Sequence, residues 1–261
     1  RYSRAEVVRI ARPKLEEVKK LGCQRFLECT PNYLGRDPEL LARLSDAVGI
    51  EIWTNTGIYG AADRKAVPSF VHSLTAERLA RRFISEATNG IGAMKPRFIK
   101  TGVQTSPLDE LDRKLVRAAA IASRETGLTV ASHTGTGRAA LEELEIFADE
   151  KVSAEKFVWV HANAEKDRSI HEKVARAGGL VEFDGVSESG AAWHRDCIRW
   201  MAERNLLGKV LISQDSGWYN VGEPGGGNFR GYTYIYTGFL PLLEPAWRRQ
   251  LMVTNPKAAF G

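Results

Sequence analysis

The stretch RFIKTGV, residues 97–103, decides the fold. Phe98, Ile99 and Val103 have the apolar, β-favouring character of a strand in the middle of a parallel sheet. Lys100 interrupts that character. A buried ammonium without a partner costs several kcal/mol or more, so this lysine needs a counter-ion, a shifted pKa or a chemical role.

Short runs of the same kind recur at 25–30, 51–56, 129–134, 156–161, 180–184 and 209–215. Amphipathic stretches lie between most of them, such as 108–126 with Leu111, Leu115, Val116, Ala119 and Ala122 at helical spacing. Asp37-Pro38 caps and opens a helix at 38–47, and Thr75 opens another near 76–88. Gly22, Gly49, Gly127 and Gly208 stand where left-handed helix C-caps belong. Strand–helix alternation implies a parallel sheet with helical crossovers, either open and doubly wound or closed as an eight-fold barrel. The chain has seven strand candidates, and a helical pattern at 3–21 leads into the first of them. One strand ahead of Arg1 would complete a barrel. The expected fold is therefore α/β, a (β/α)8 TIM barrel whose first strand is missing from this sequence, forming one domain over 1–261.

Composition agrees. The 261 residues match a single α/β barrel of about 250 residues. The net charge of +5 is spread through mixed runs such as RPKLEEVKK and DELDRKLVR, which read as solvated helix surface. No concentrated basic face with interleaved aromatics suggests nucleic acid, and no run of about 18 apolar residues suggests a membrane span. The three cysteines lack the spacing of a disulfide framework or a zinc knuckle and read as buried thiols in a reducing compartment, hence a cytoplasmic protein. Arg1 in place of Met puts the encoded start upstream and leaves a signal peptide there open.

The unusual polar residues fall at strand ends. Lys100 lies in the third candidate strand, His133 ends the fourth, His161 ends the fifth and Asp215 ends the seventh. Barrel strands all point one way, so these ends meet at one mouth. Singly, a strand lysine snorkels or pairs, and a strand-end histidine is a hydrogen-bonded rim residue. Together they read as a metal site. A lysine that has reacted with carbon dioxide becomes a carbamate, an anion able to bridge two divalent cations. Two imidazoles suit zinc or a similar ion, and Asp215 adds a hard oxygen that can take a proton from bound water. His72, His171 and His194 read as surface residues. Glu182 and Asp184 can face the mouth, but their spacing is unspecific. The segment GEPGGGNFRG at 222–231 reads as a mobile lid, with a phosphate cradle as the other reading, and Trp218 and Tyr219 as pocket lining.

These motifs carry a resemblance. LGRDPELLARLSDAVGI, TNTGIYG, RFIKTGV, VASHTGTG, VHANAEKD, LISQDSGW and VTNPKAAF are similar, in order and spacing, to the phosphotriesterase family of the amidohydrolase superfamily, which includes phosphotriesterase-like lactonases. The resemblance spans nearly the whole chain. It implies a distorted (β/α)8 barrel with two divalent metal ions, zinc first and cobalt or manganese as alternatives. It makes Lys100 the bridging lysine that carries a CO2-derived carbamate, and His133 and His161 the ligands of the more exposed metal. Asp215 becomes a ligand of the buried metal and the proton shuttle, and Tyr59 in TGIYG a substrate neighbour. One departure stands out: the family's first strand carries a His-x-His pair, and none occurs among the five histidines here. The expected function is a metal-dependent hydrolase that opens lactones or related esters by attack of a metal-bridging hydroxide, with phosphotriesterase side activity. Its partner would be a small-molecule ester or lactone, and a homodimer stays open. The alternatives are a non-catalytic binding barrel that has lost part of the binuclear site, and a phosphate-gripping barrel isomerase.

Overall fold

The computed structural model describes residues 2–261. Its strands are β1 (Arg25–Leu27), β2 (Glu51–Trp53), β3 (Asn55–Thr56), β4 (Phe98–Gly102), β5 (Val130–His133), β6 (Phe157–Val160), β7 (Leu180–Phe183) and β8 (Val210–Ile212). The helices are α1 (Arg4–Lys20), α2 (Pro38–Val48), α3 (Phe70–Ser73), α4 (Ala76–Asn89), α5 (Glu110–Thr126), α6 (Gly137–Asp149), α7 (Arg168–Arg176), α8 (Ala191–Ala202), α9 (Pro245–Arg249) and α10 (Asn255–Phe260). Among these described residues no helix is long and apolar enough to cross a membrane.

All strand pairs are parallel, and neighbours follow chain order from β1 to β2 and from β3 to β8. This is the wall of a TIM barrel. The candidate strand 51–56 appears as β2 and β3, broken at Thr54. Its first half pairs with β1 and its second with β4, so one wall position hands the ladder from one neighbour to the other. The ladder continues across the break, where the Trp53 carbonyl accepts from Glu28 N at 2.9 Å and the Thr54 carbonyl accepts from Arg97 N at 2.9 Å. No pairing between β8 and β1, and no further strand between them, occurs among the described residues.

Alternation along β4 settles where Lys100 points. Ile99 packs outward with Val116, Phe147 and Trp159 in the layer between strands and helices. Phe98 packs inward with Ala131, Val158, Leu180, Leu211 and Ala259 to make the floor of the barrel, with Leu27 and Phe260 against it. Lys100 therefore stands inside, one step above Phe98 toward the mouth. The floor is closed by α10. The Phe260 ring lies 5.9 Å from that of Phe98, and Asn255 donates to the carbonyls of Leu207 (2.8 Å) and Val210 (2.7 Å). Each fully buried large apolar side chain contributes about 1.5–3 kcal/mol, which lets the apolar floor carry a polar layer above it.

The caps follow their chemistry. The Asp37 side chain accepts from Leu40 N, the Thr75 side chain accepts from Arg78 N, and Gly49 and Gly127 take left-handed C-caps. Gly208 differs from expectation. It lies in a short 3-10 turn at Leu207–Lys209, and Asn205, with φ of 59°, makes the left-handed turn after α8. Asparagine tolerates that conformation better than most residues. Two histidines also differ from the surface reading. His171 is fully buried between the rings of Trp159 and Phe183, donating from Nε2 to the Ala162 carbonyl at 2.7 Å. His194 is 4 % exposed and donates from Nε2 to the Asp184 carbonyl at 2.5 Å. Both sit on the inward face of a helix, where a polar neighbourhood in sequence does not mean exposure. His72 is exposed as expected.

Candidate metal centre

Parallel register builds the site. Lys100 pairs with Ala131 and Gly102 with His133, so His133 stands one step nearer the mouth on the adjoining strand. His133 in turn pairs with Val160, and His161 follows directly. Asp215 lies three residues beyond β8. His161 (φ 69°) and Asp215 (φ 40°) both take left-handed backbone, an unfavourable conformation for a non-glycine residue that persists where surrounding structure enforces it. Two glycines make room. At Gly57 (φ 124°) a Cβ would stand 2.2 Å from the Lys100 carbonyl oxygen. At Gly102 a Cβ would stand 2.9 Å from the Tyr59 ring and 3.0 Å from the His133 Cβ.

The four expected ligands come together. The His133 and His161 rings lie edge to face with centroids 4.2 Å apart. Lys100 is 5 % exposed, and its Nζ has no hydrogen-bond partner. Donor atoms of His161, Asp184 and Asp215 lie within 4.8 Å of one another. Tyr59 joins the group, its hydroxyl 3.1 Å from His133 Nδ1. Trp218 is placed differently, 67 % exposed on the loop just past Asp215. The base of that loop is held: Arg230 donates to the carbonyls of Gln214 (2.6 Å) and Asp215 (2.9 Å), and Ser216 Oγ donates to the Gly231 carbonyl at 3.0 Å.

Asp184 and Glu182 gain roles that spacing alone did not assign. Leu180 packs into the barrel floor, so alternation turns Glu182 and Asp184 inward as well. Asp184 accepts from His161 N at 2.6 Å and from His161 Nδ1 at 2.7 Å. That bond places the proton on Nδ1 and leaves Nε2 free to bind a cation. Asp184 is fixed in turn through its own N–H, which donates to Asn163 Oδ1 at 3.0 Å. Inward alternation in LVEFD was the available signal; what it lacked was the cross-strand partner.

Charge and burial tune these groups. Burial, reinforced by His161 and Lys100, pushes His133 down to about 3, so it is neutral and able to ligate. Burial also opposes a charged His161, but the hydrogen bond and charge of Asp184 outweigh it and raise the imidazole. Burial and then the Asp184 charge raise Asp215 above the ordinary carboxylate range. Glu182 rises to about 7 through burial and the Asp184 charge, although Ser213 bonds to it.

A divalent cation fits this donor set. Two imidazoles, a half-buried carboxylate and an unpaired buried amine around one space are what zinc or a similar ion would organise. The carbon dioxide adduct of Lys100 would turn the orphaned amine into an anionic oxygen donor.

An α/β barrel with its polar donors gathered at the C-terminal mouth defines the class of protein. Residues 2–258 match the profile of the Phosphotriesterase family, and the chain belongs to that family. It is similar to the phosphotriesterase homology protein of Escherichia coli (strain K12), with 24% identity over 260 residues covering 95% of this chain and 87% of that protein. It is also similar to the N-acetyltaurine hydrolase of Dictyostelium discoideum, with 29% identity over 274 residues covering 95% of this chain and 72% of that protein. The fold matches the crystal structure of a lactonase from Listeria monocytogenes with a TM-score of 0.87 at 21% identity, over 97% of this chain and 86% of that one.

Proposed function

We propose that the protein is a metal-dependent hydrolase acting on lactones or related esters, with phosphotriesters as side substrates. The observation that carries this reading is the buried, unpartnered Nζ of Lys100, a charged neighbour of His133, His161 and Asp215. The hydrolase and lactonase names of two similar proteins support the reaction class. Zinc is the first choice of ion, then cobalt or manganese, with a carbamate on Lys100. Cations bound there supply Lewis acidity, which polarises a carbonyl or phosphoryl group and makes water a stronger acid.

The chain's own groups do the rest. Tyr59 and Asp184 hold the Nδ1 atoms of His133 and His161, which leaves each Nε2 for a cation. Asp215, whose raised pKa suits proton transfer, takes the proton of the attacking water on its carboxylate and passes it to the leaving oxygen. The Tyr59 hydroxyl beside His133 meets the substrate, and Trp218 offers an apolar surface at the entrance. The test is turnover of a lactone, aryl ester and phosphotriester panel with added zinc, cobalt or manganese and bicarbonate. Lys100→Ala and Asp215→Asn should each lose at least about 100-fold, the lower end of what a positioned acid–base group contributes. Variants that turn over lactones as fast as the parent would rule the mechanism out. Protein with neither bound metal nor turnover would instead be a binding barrel.

A further inference from the structure

Glu143 is a buried acid with no part in the chemistry above. It lies on the inward face of α6 among Ala139, Ala140, Ile146 and Phe147, and none of its surface is exposed. A glutamate is almost never fully buried unless it is partnered. Its partners are the hydroxyls on either side of His133. Ser132 Oγ donates to Oε1 at 2.5 Å, and Thr134 Oγ1 donates to Oε2 at 2.6 Å. The two hydroxyls lie 3.2 Å apart, so the three groups close a ring. Alternation explains the arrangement. Ala131 packs into the barrel floor, so His133 points inward as well, while Ser132 and Thr134 point outward to the helices. Both are fully buried. His133 is the last residue of β5, and only Thr134, Gly135 and Thr136 separate it from α6. A Cβ at Gly135 would meet nothing within 4 Å, so packing does not hold the connection there. Hydrogen bonds hold it instead. Val103 N donates to the His133 carbonyl at 2.9 Å, and Trp159 Nε1 donates to the Thr134 carbonyl at 2.7 Å. Those two bonds fix the backbone, and Glu143 fixes the side chains on both flanks.

We infer that Glu143 is a positioning residue for the metal centre: by gripping Ser132 and Thr134 together from behind the strand, it fixes the direction in which His133 presents Nε2 to a cation. The inference rests on the metal-centred reading above. Glu143 touches neither cation nor substrate. It acts through the two peptide units that flank His133, whose rotation would swing the imidazole away from Tyr59 and His161. A carboxyl suits this task because its two oxygens take one hydroxyl each. Glutamine keeps two hydrogen-bonding atoms in the same places, one accepting from a hydroxyl and one donating to the other. Leucine fills the space and grips neither.

Zinc affinity, measured by competition with a chelator, tests it. Glu143→Leu should weaken binding about tenfold, the lower end of what a residue behind a ligand commands. Glu143→Gln should restore most of that loss. In a His133→Ala background, Glu143→Leu should cost nothing further, because the ligand it positions has gone. Thr134→Val keeps the branched shape and removes one hydroxyl. It should weaken zinc binding in the same direction, so the test survives a Glu143 variant that fails to fold. Ser123→Ala is the control. Its buried hydroxyl donates to the Leu128 carbonyl at 2.6 Å, ahead of the far end of β5, and its loss should leave zinc affinity unchanged. Parent affinity in Glu143→Leu and Thr134→Val, an equal loss in Ser123→Ala, or a further loss of the same size in the His133→Ala background would overturn the inference and leave the metal-centred reading standing. A parent protein that binds no zinc would overturn both.

Discussion

Asp184 receives both hydrogen bonds that His161 offers on its protein side, from the backbone N–H at 2.6 Å and from Nδ1 at 2.7 Å. A carboxylate in that position orients the ring and raises its basicity toward a metal. Asp184→Asn keeps the shape and removes the charge. Metal affinity, measured by competition with a chelator, should fall about 10–100-fold, with the fold intact by circular dichroism. Unchanged affinity would reduce Asp184 to a packing role.

Gly57 is predicted to be intolerant of a side chain. A Cβ there would meet the Lys100 carbonyl oxygen at 2.2 Å, on a backbone with φ of 124°. Gly57→Ala should lose about 2–3 kcal/mol by urea denaturation, and metal content should fall with it because Lys100 shifts. Gly22→Ala is the contrast. It shares a left-handed φ of 98° but has nothing within 4 Å of its Cβ, so it should lose only about 1–2 kcal/mol and leave metal content alone.

Tyr59→Phe removes the hydroxyl 3.1 Å from His133 Nδ1 and nothing else. One net hydrogen bond is about 0.5–1.5 kcal/mol, so kcat/KM should fall roughly 2–10-fold with bound metal unchanged. A loss of metal would show instead that the tyrosine holds His133 in its ligating position.

The buried Glu143 sets a pH dependence. Burial pushes its carboxyl from 4.5 up to about 8, against the Ser132 and Thr134 hydroxyls that bond to it. Between those values the unfolded chain has lost the proton that the native state keeps. The native state binds more protons there, so the contribution of Glu143 is whole below about 4.5 and lost as pH rises to about 8. Glu143→Gln should remove that loss. Its stability relative to the parent, from urea midpoints, should climb between pH 5 and pH 8 by up to a few kcal/mol, at about 1.4 kcal/mol per pKa unit. A flat difference across that range would show that Glu143 ionises normally.

Much of the site was legible because it depends on one-dimensional order. Strand–helix alternation predicts a barrel, a barrel turns all strand ends to one mouth, and Lys100, His133, His161 and Asp215 then meet there whatever the details of packing. The rest depended on neighbours across the wall. At Thr54 the ladder to β1 gives way to the ladder to β4, a handover that only the partners' registers set. His171 and His194 read as surface, yet the inward faces of their helices bury them, each Nε2 against a backbone carbonyl.

The sequence by itself determined which side chains could reach the mouth, because strand period and chain order set direction. Only the tertiary structure decided what each meets there: Asp184 behind His161, Tyr59 against His133, and Cys29 exposed where a buried thiol was expected. Those contacts join residues from different strands, and their energies come from distance and burial, which no spacing along a single chain encodes.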